Sequence, residues 1–169
     1  MVFRLLPVGD VDRRPEDRAL VGDAMSGPVS SFVPLERIGT TTFVTSSRDG
    51  DVATRREAGL VERYRSWLAA NGHDVGRWCI RPPGELRPLW TDLYDCTTKD
   101  LYEAKGSVNR NSIRTAIGQL LDYGRYIDDP NLVVLLPDRP SEDLLSLITT
   151  CGMSCVYETD TAEFIRHAG

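Results

Sequence analysis

Five consecutive apolar residues, Leu132 to Leu136, follow the turn signal Asp128-Asp129-Pro130 and constrain the fold more than any other stretch. A strand-length run that is apolar at every position, not at alternate ones, suits a central strand buried on both faces. Helical patterns flank it. One opens at Asn109 or Asn111 and carries Ile113, Ala116, Ile117, Leu120, Leu121 and Tyr123; another opens at Pro140-Ser141-Glu142-Asp143 and stops near Cys151-Gly152. The five-residue run is too short to cross a membrane. With 169 residues, 41% of them apolar, the chain has material for one packed domain of ordinary size.

Upstream, Thr54 is placed to cap a helix that runs to Asn71-Gly72, with Leu60, Val61, Tyr64 and Leu68 on one face. His73 to Arg81 reads as a first strand ending at Pro82-Pro83-Gly84. Pro88 to Tyr94 and Asp100 to Lys105 read as two more, joined by a polar turn at Cys96-Thr97-Thr98-Lys99. Met153 to Tyr157 is a further strand, and Phe164 to His167 adds an edge. The order from residue 53 onward is α-β-β-β-α-β-α-β, an α/β fold with a mixed sheet flanked by helices.

Residues 1–52 show no sustained periodicity and carry turn signals at Ser26-Gly27-Pro28 and Asp49-Gly50-Asp51, so they read as an irregular N-terminal arm or linker before a domain at 53–169. Phe3 to Val8 has strand character. Its opening resembles the last strand of a preceding unit, which would make the chain the C-terminal part of a larger protein.

The net charge of −5 argues against a polycation that coats nucleic acid or an anionic membrane. Residues 53–127 nevertheless hold 12 basic against 9 acidic side chains, and this is where a polyanion would be met. Of 20 basic residues only Lys99 and Lys105 are lysine, which draws attention to both. The four cysteines form no CxxC pair and read as reduced, mostly packed residues of a cytoplasmic protein, with Cys151 and Cys155 in the core. His73 and His167 have no partner spacing and receive no catalytic role.

Placing the turn between Thr97 and Thr98 makes the numbers of antiparallel partners add to 195, so Asp92 faces Glu103 and Trp90 faces Lys105. Glu103 and Lys105 share one face of their strand. Two carboxylates opposite each other are destabilising unless something neutralises them, and a hard cation would do so while retaining waters. An ordinary solvated hairpin also satisfies Asp-x10-Glu-x-Lys. Glu57 adds weight, because it lies within the apolar stripe of the first helix with Leu60, Val61 and Tyr64 at +3, +4 and +7. Gln119 and Tyr123 lie one turn apart beside Ala116 and Leu120, which equally suits polar residues satisfied inside a core.

Thr91-Asp92-Leu93-Tyr94, Leu101-Tyr102-Glu103-Ala104-Lys105-Gly106 and Gln119-Leu120-Leu121-Asp122-Tyr123 resemble the Asp, ExK and QxxxY motifs of the PD-(D/E)xK nuclease superfamily, in its RecB-like branch. The element order likewise resembles that family's restriction-endonuclease-like core. The similarity covers residues 53 to 157, and Thr91 stands where the motif has proline. It implies a Mg²⁺-dependent nuclease acting on DNA, with Mn²⁺ able to substitute, in a restriction or defence setting. Asp92, Glu103 and the backbone carbonyl of Ala104 would hold the metal, with Lys105 as the catalytic lysine. Glu57 would support the metal or its waters, and Gln119 and Tyr123 would orient the site.

Arg110 and Arg114, four apart on the second helix, suit a grip on phosphates or a solvated helix face, and Gly106-Ser107 suits either a close approach of phosphate to the backbone or a simple helix entry. Arg125 is equally a solvated surface residue. The expected partners are DNA and an additional N-terminal recognition domain or partner subunit, with a homodimer as a further assembly and no membrane. The alternatives are a non-cleaving nuclease-fold module that binds DNA or a protein, and a subunit that completes its site only within a larger assembly.

Overall fold

The computed structural model describes residues 29–34 and 48–168, with the side chains of all of these except 48–53. In chain order the elements are β1 (Val29–Pro34), α1 (Arg48–Ala70), β2 (Val75–Arg81), β3 (Leu89–Trp90), β4 (Leu93–Asp95), β5 (Asp100–Ala104), α2 (Arg110–Gly124), β6 (Asn131–Leu136), α3 (Glu142–Thr150), β7 (Ser154–Glu158) and β8 (Phe164–His167). The strands form one open mixed sheet in the order β1-β2-β4-β5-β6-β7-β8, with β3 pairing β2 beside β4. β5, β6 and β7 are parallel, and every other pairing is antiparallel.

The apolar run occupies β6, and its two faces are buried in different layers. Val133 and Leu135 meet Leu60, Tyr64 and Leu68 of α1, while Val134 and Leu136 join Ile113, Leu120, Leu145 and Ile148 of α2 and α3. Parallel neighbours need crossover connections. The helices α2 and α3 provide them and cover one face, leaving the other to α1.

The segment read as an arm contributes β1, which pairs with β2 from Val29↔Arg81 to Pro34↔Gly76. The Phe32 ring crosses the strand at Gly76, where a Cβ would lie 2.1 Å from the ring and 2.9 Å from the Val33 carbonyl oxygen. Only glycine leaves that space. α1 begins at Arg48 rather than Thr54 and runs through Asp49-Gly50-Asp51, the expected turn. Acidic residues are favourable in a first helical turn, and one glycine costs about 1 kcal/mol without ending a helix. The strand expected at Phe3 to Val8 and the turn at Ser26-Gly27-Pro28 lie outside the described residues.

Cys155 is fully buried, but Cys151 is exposed, because it follows the end of α3 beyond the buried stripe of Leu144, Leu145 and Ile148. Among the described residues no helix is long and apolar enough to cross a membrane.

Candidate active site

β4 and β5 pair as Leu93↔Tyr102, Tyr94↔Leu101 and Asp95↔Asp100, the register expected from the turn. Asp92 immediately precedes β4, on the line that faces Glu103. Trp90 does not face Lys105. It belongs to β3 and pairs with Cys79 of β2. The expected single strand over 88–94 is therefore broken in two.

The break is a one-residue bulge. Between Gly76↔Tyr94 and Cys79↔Trp90, Arg77 and Trp78 on β2 oppose Thr91, Asp92 and Leu93. Thr91 holds it in place: its backbone N–H donates to the Trp78 carbonyl (3.1 Å), and its Oγ1 accepts the Trp78 N–H (2.8 Å). The side chain thus substitutes for a carbonyl in the ladder, and the next residue is turned toward β5. Asp92 Oδ2 accepts the Ala104 backbone N–H at 2.8 Å.

Glu103 is 3% exposed and accepts a 2.7 Å hydrogen bond on Oε1 from Lys105 Nζ, itself 8% exposed. Glu57 reaches across from α1, and its Oε1 accepts the Gly106 N–H at 3.3 Å. Glu57, Asp92, Glu103 and Lys105 lie within electrostatic reach of one another. Burial pushes Asp92 up to about 6, with Glu57 adding to the rise against the Ala104 N–H and Lys105. Burial and the facing Asp92 push Glu103 up to about 8, against the pull of Lys105. Burial works against the Lys105 ammonium, but Glu103, Asp92 and Glu57 more than offset it, so Lys105 sits above the ordinary lysine range. The lysine is an ammonium at neutral pH, suited to stabilising charge or giving a proton rather than taking one.

The donor set fits a hard divalent cation. Asp92 keeps Oδ1 and Glu103 keeps Oε2 outside the hydrogen bonds above, and both carboxylates are held above their ordinary range chiefly by burial. One or two carboxylates plus waters are the usual protein contribution to Mg²⁺. Among the described residues, however, no three His, Cys, Asp or Glu side chains converge tightly enough to make a cage.

A cavity of about 500 Å³ opens at the Glu57 and Lys105 side of this cluster, lined by those two residues and the start of α2 from Asn109 to Ser112. Asn109 caps the helix by accepting the Ser112 N–H at 2.8 Å. Arg110 borders the cavity and is ion-paired to Asp143 at the start of α3. Arg114 is exposed on α2. The Ser107 hydroxyl is bonded to Ser112 Oγ (3.0 Å) and Asn109 Nδ2 (2.7 Å), within the cap. Gln119 Nε2 donates to Tyr123 Oη at 3.3 Å, while Gln119 Oε1 is buried with no partner among the described residues. Burial raises Tyr123, and Glu103 and Asp92 add to the rise, so the pair lies near the cluster without a hydrogen bond to it. Arg125 pairs with Asp122 and stacks on Tyr126 at 4.9 Å.

A second cavity, of about 320 Å³, adjoins the first along Glu57 and is bordered by Asp92, Thr91, Trp90 and Arg77. Arg77 and Trp90 were missed as site residues. The signal existed, since Trp90 stands two before Asp92, but placing Arg77 beside it requires the pairing of Trp90 with Cys79.

His73 does have a partner, Asp95, with Nδ1 2.5 Å from Oδ2. This lies at the turn end of the β4–β5 hairpin, in a closed network. The Thr98 hydroxyl lies between Asp95 and Asp100, 2.9 and 2.8 Å from their Oδ2 atoms, and Tyr102 Oη and Arg166 donate to Asp100. Here every carboxylate is occupied by donors, in contrast to the Asp92 end.

Comparison of the chain with protein-family models, with curated proteins and with solved structures returned no match.

Proposed function

We propose that the chain is a Mg²⁺-dependent nuclease of the PD-(D/E)xK type, with a restriction-endonuclease-like core, hydrolysing phosphodiester bonds in DNA. The observation that carries this is a pair of carboxylates, the half-buried Asp92 just before β4 and the buried Glu103 on β5, each with an oxygen to spare, beside an ammonium bonded to one of them. An acid pair so poorly solvated is costly for folding alone, and Asp92 and Lys105 each border a cavity. The order of helices and strands from α1 to β7 supports the same reading.

Asp92 and Glu103 would hold the cation, with the Ala104 carbonyl beside them. A bound cation offsets phosphate charge and acidifies water. Lys105 directs an ammonium at the oxygens where negative charge develops, and its bond to Glu103 fixes that direction. Glu57 spans the two cavities and receives the Gly106 N–H, which ties α1 to the end of β5. Gln119 and Tyr123, bonded to each other within electrostatic reach of Glu103 and Asp92, would act as a positioning pair.

The Glu103–Lys105 ion pair, which already neutralises one carboxylate, favours a second reading, a nuclease-fold module that binds DNA or a protein without cutting. One experiment separates them: incubation of supercoiled and linear DNA, methylated and unmethylated, with Mg²⁺, Mn²⁺ or chelator. Cation-dependent cutting that is lost in Asp92→Asn and Glu103→Gln supports the nuclease. Intact DNA in every condition, together with no cation binding at these residues, supports the module.

A further inference from the structure

The cavity beside Asp92 is built differently from the one over Lys105. Trp90 stands opposite Cys79, and Arg77 lies two residues from Cys79 on the same face of β2, so both point toward α1. The Arg77 guanidinium lies 4.3 Å from the centre of the Trp90 ring. Arg77 makes no hydrogen bond or ion pair among the described residues, and its Nε is buried without an acceptor. Trp90 is 41% exposed. Across the cavity Ala58 and Val61 of α1 form an apolar wall.

This combination selects a ligand. A phosphate is disfavoured, because Glu57, Glu62 and Asp92 border the cavity and Arg65 is already committed to Glu62. A flat, neutral ring with acceptor atoms satisfies each feature: it stacks on tryptophan, packs against Ala58 and Val61, and accepts from Arg77. A nucleobase is such a ring. Asp92 lines this cavity itself, and the shared border at Glu57 places the base next to whatever lies at Lys105.

We propose that this cavity receives one unpaired nucleobase of the substrate strand, stacked on the exposed side of Trp90 and hydrogen-bonded to Arg77, next to the bond to be cut. The inference rests on the nuclease reading and narrows it. A base inside a duplex presents no free face, so the substrate is single-stranded at this point or has the base turned out of the helix.

The test is fluorescence anisotropy with the full chain in chelator, so that nothing is cut, using a labelled single strand, a blunt duplex and an abasic single strand. Wild-type protein should bind the ordinary single strand on the order of tenfold tighter than the abasic one, since one stacked base is worth about 1–3 kcal/mol. Trp90→Ala should remove that preference. Trp90→Phe should keep most of it, and Arg77→Met should weaken it several-fold. Equal affinity of wild-type protein for the ordinary and abasic strands overturns the proposal without any variant. Equal single-strand affinity of wild type and Trp90→Ala, with matching thermal melts, also overturns it. Cation-dependent cutting of duplex with no single-strand preference defeats this inference alone. Trp90-dependent single-strand binding without cutting under any cation leaves the base site standing and defeats the nuclease reading.

Discussion

Thr91 bonds Trp78 twice, once through its backbone N–H and once through its hydroxyl, and so holds open the bulge that turns Asp92 toward Glu103. Replacing the hydroxyl by a methyl group keeps the shape and removes the acceptor. Thr91→Val should therefore destabilise the fold by about 1–3 kcal/mol, the cost of an unpaired backbone donor at a site only 2% exposed. Thr91→Ser should restore most of it. If Thr91 also positions Asp92, Thr91→Val protein that is still folded should bind divalent cations more weakly, as read by calorimetry. Unchanged cation affinity would confine Thr91 to a structural role.

Lys105 is bonded to Glu103 and lies in the field of Asp92 and Glu57, and its chemistry depends on a compact ammonium in that position. Lys105→Ala and Lys105→Arg should both abolish cleavage, a loss on the order of 10²–10⁴ in rate, and cation binding at Asp92 and Glu103 should survive in each. A planar guanidinium keeps the charge but cannot occupy the same volume. Cleavage by Lys105→Arg at near the wild-type rate would reduce the residue to a counter-charge.

The carboxylate pair sets a pH dependence of definite sign. Asp92 near 6 and Glu103 near 8 both lie above the ordinary carboxylate values of about 4. The folded chain therefore binds more protons than the unfolded one between those limits, and stability falls as pH rises through them. In chelator the melting temperature should drop between pH 5 and pH 8, less so in Glu103→Gln. Added Mg²⁺ should raise the melt more at pH 8 than at pH 5, because protons no longer compete for the oxygens. Identical pH profiles for wild type and Glu103→Gln would show that the pair is not strained.

Gly76 and Phe32 fit together across β1 and β2. Gly76→Ala should cost about 1–3 kcal/mol by overpacking, since the methyl group meets both the ring and the Val33 carbonyl. Phe32→Leu should recover part of that loss, giving a measurable coupling in a double-mutant cycle. Strict additivity in denaturant unfolding would mean that the two side chains do not meet.

The β4–β5 register was legible because period-two alternation and a polar turn leave one arrangement that keeps Leu93 and Tyr102 inside. β6 was legible because apolar residues on both faces admit few other placements. The bulge was not, because a threonine hydroxyl standing in for a carbonyl has no signature in spacing. β1 was not either. Its partner lies more than forty residues away, and Gly76 shows itself as a socket only when Phe32 is beside it. Arg77 read as an ordinary strand residue, since its neighbour Trp90 comes from a different strand pair than expected.

One short hairpin carries two acidic pairs, Asp95 with Asp100 at the turn and Asp92 with Glu103 at the far end. The turn-end pair is saturated with donors and grips α1 and β8 through Tyr64 and Arg166. It works as the fixed jaw of a caliper whose other jaw is the site. The gap between Asp92 and Glu103 is then governed by residue count along the hairpin rather than by the identity of the surrounding helices. Substitutions can accumulate across α3 and the outer face of α2 while that gap is preserved, whereas a single insertion between Asp95 and Asp100 would misalign both jaws at once.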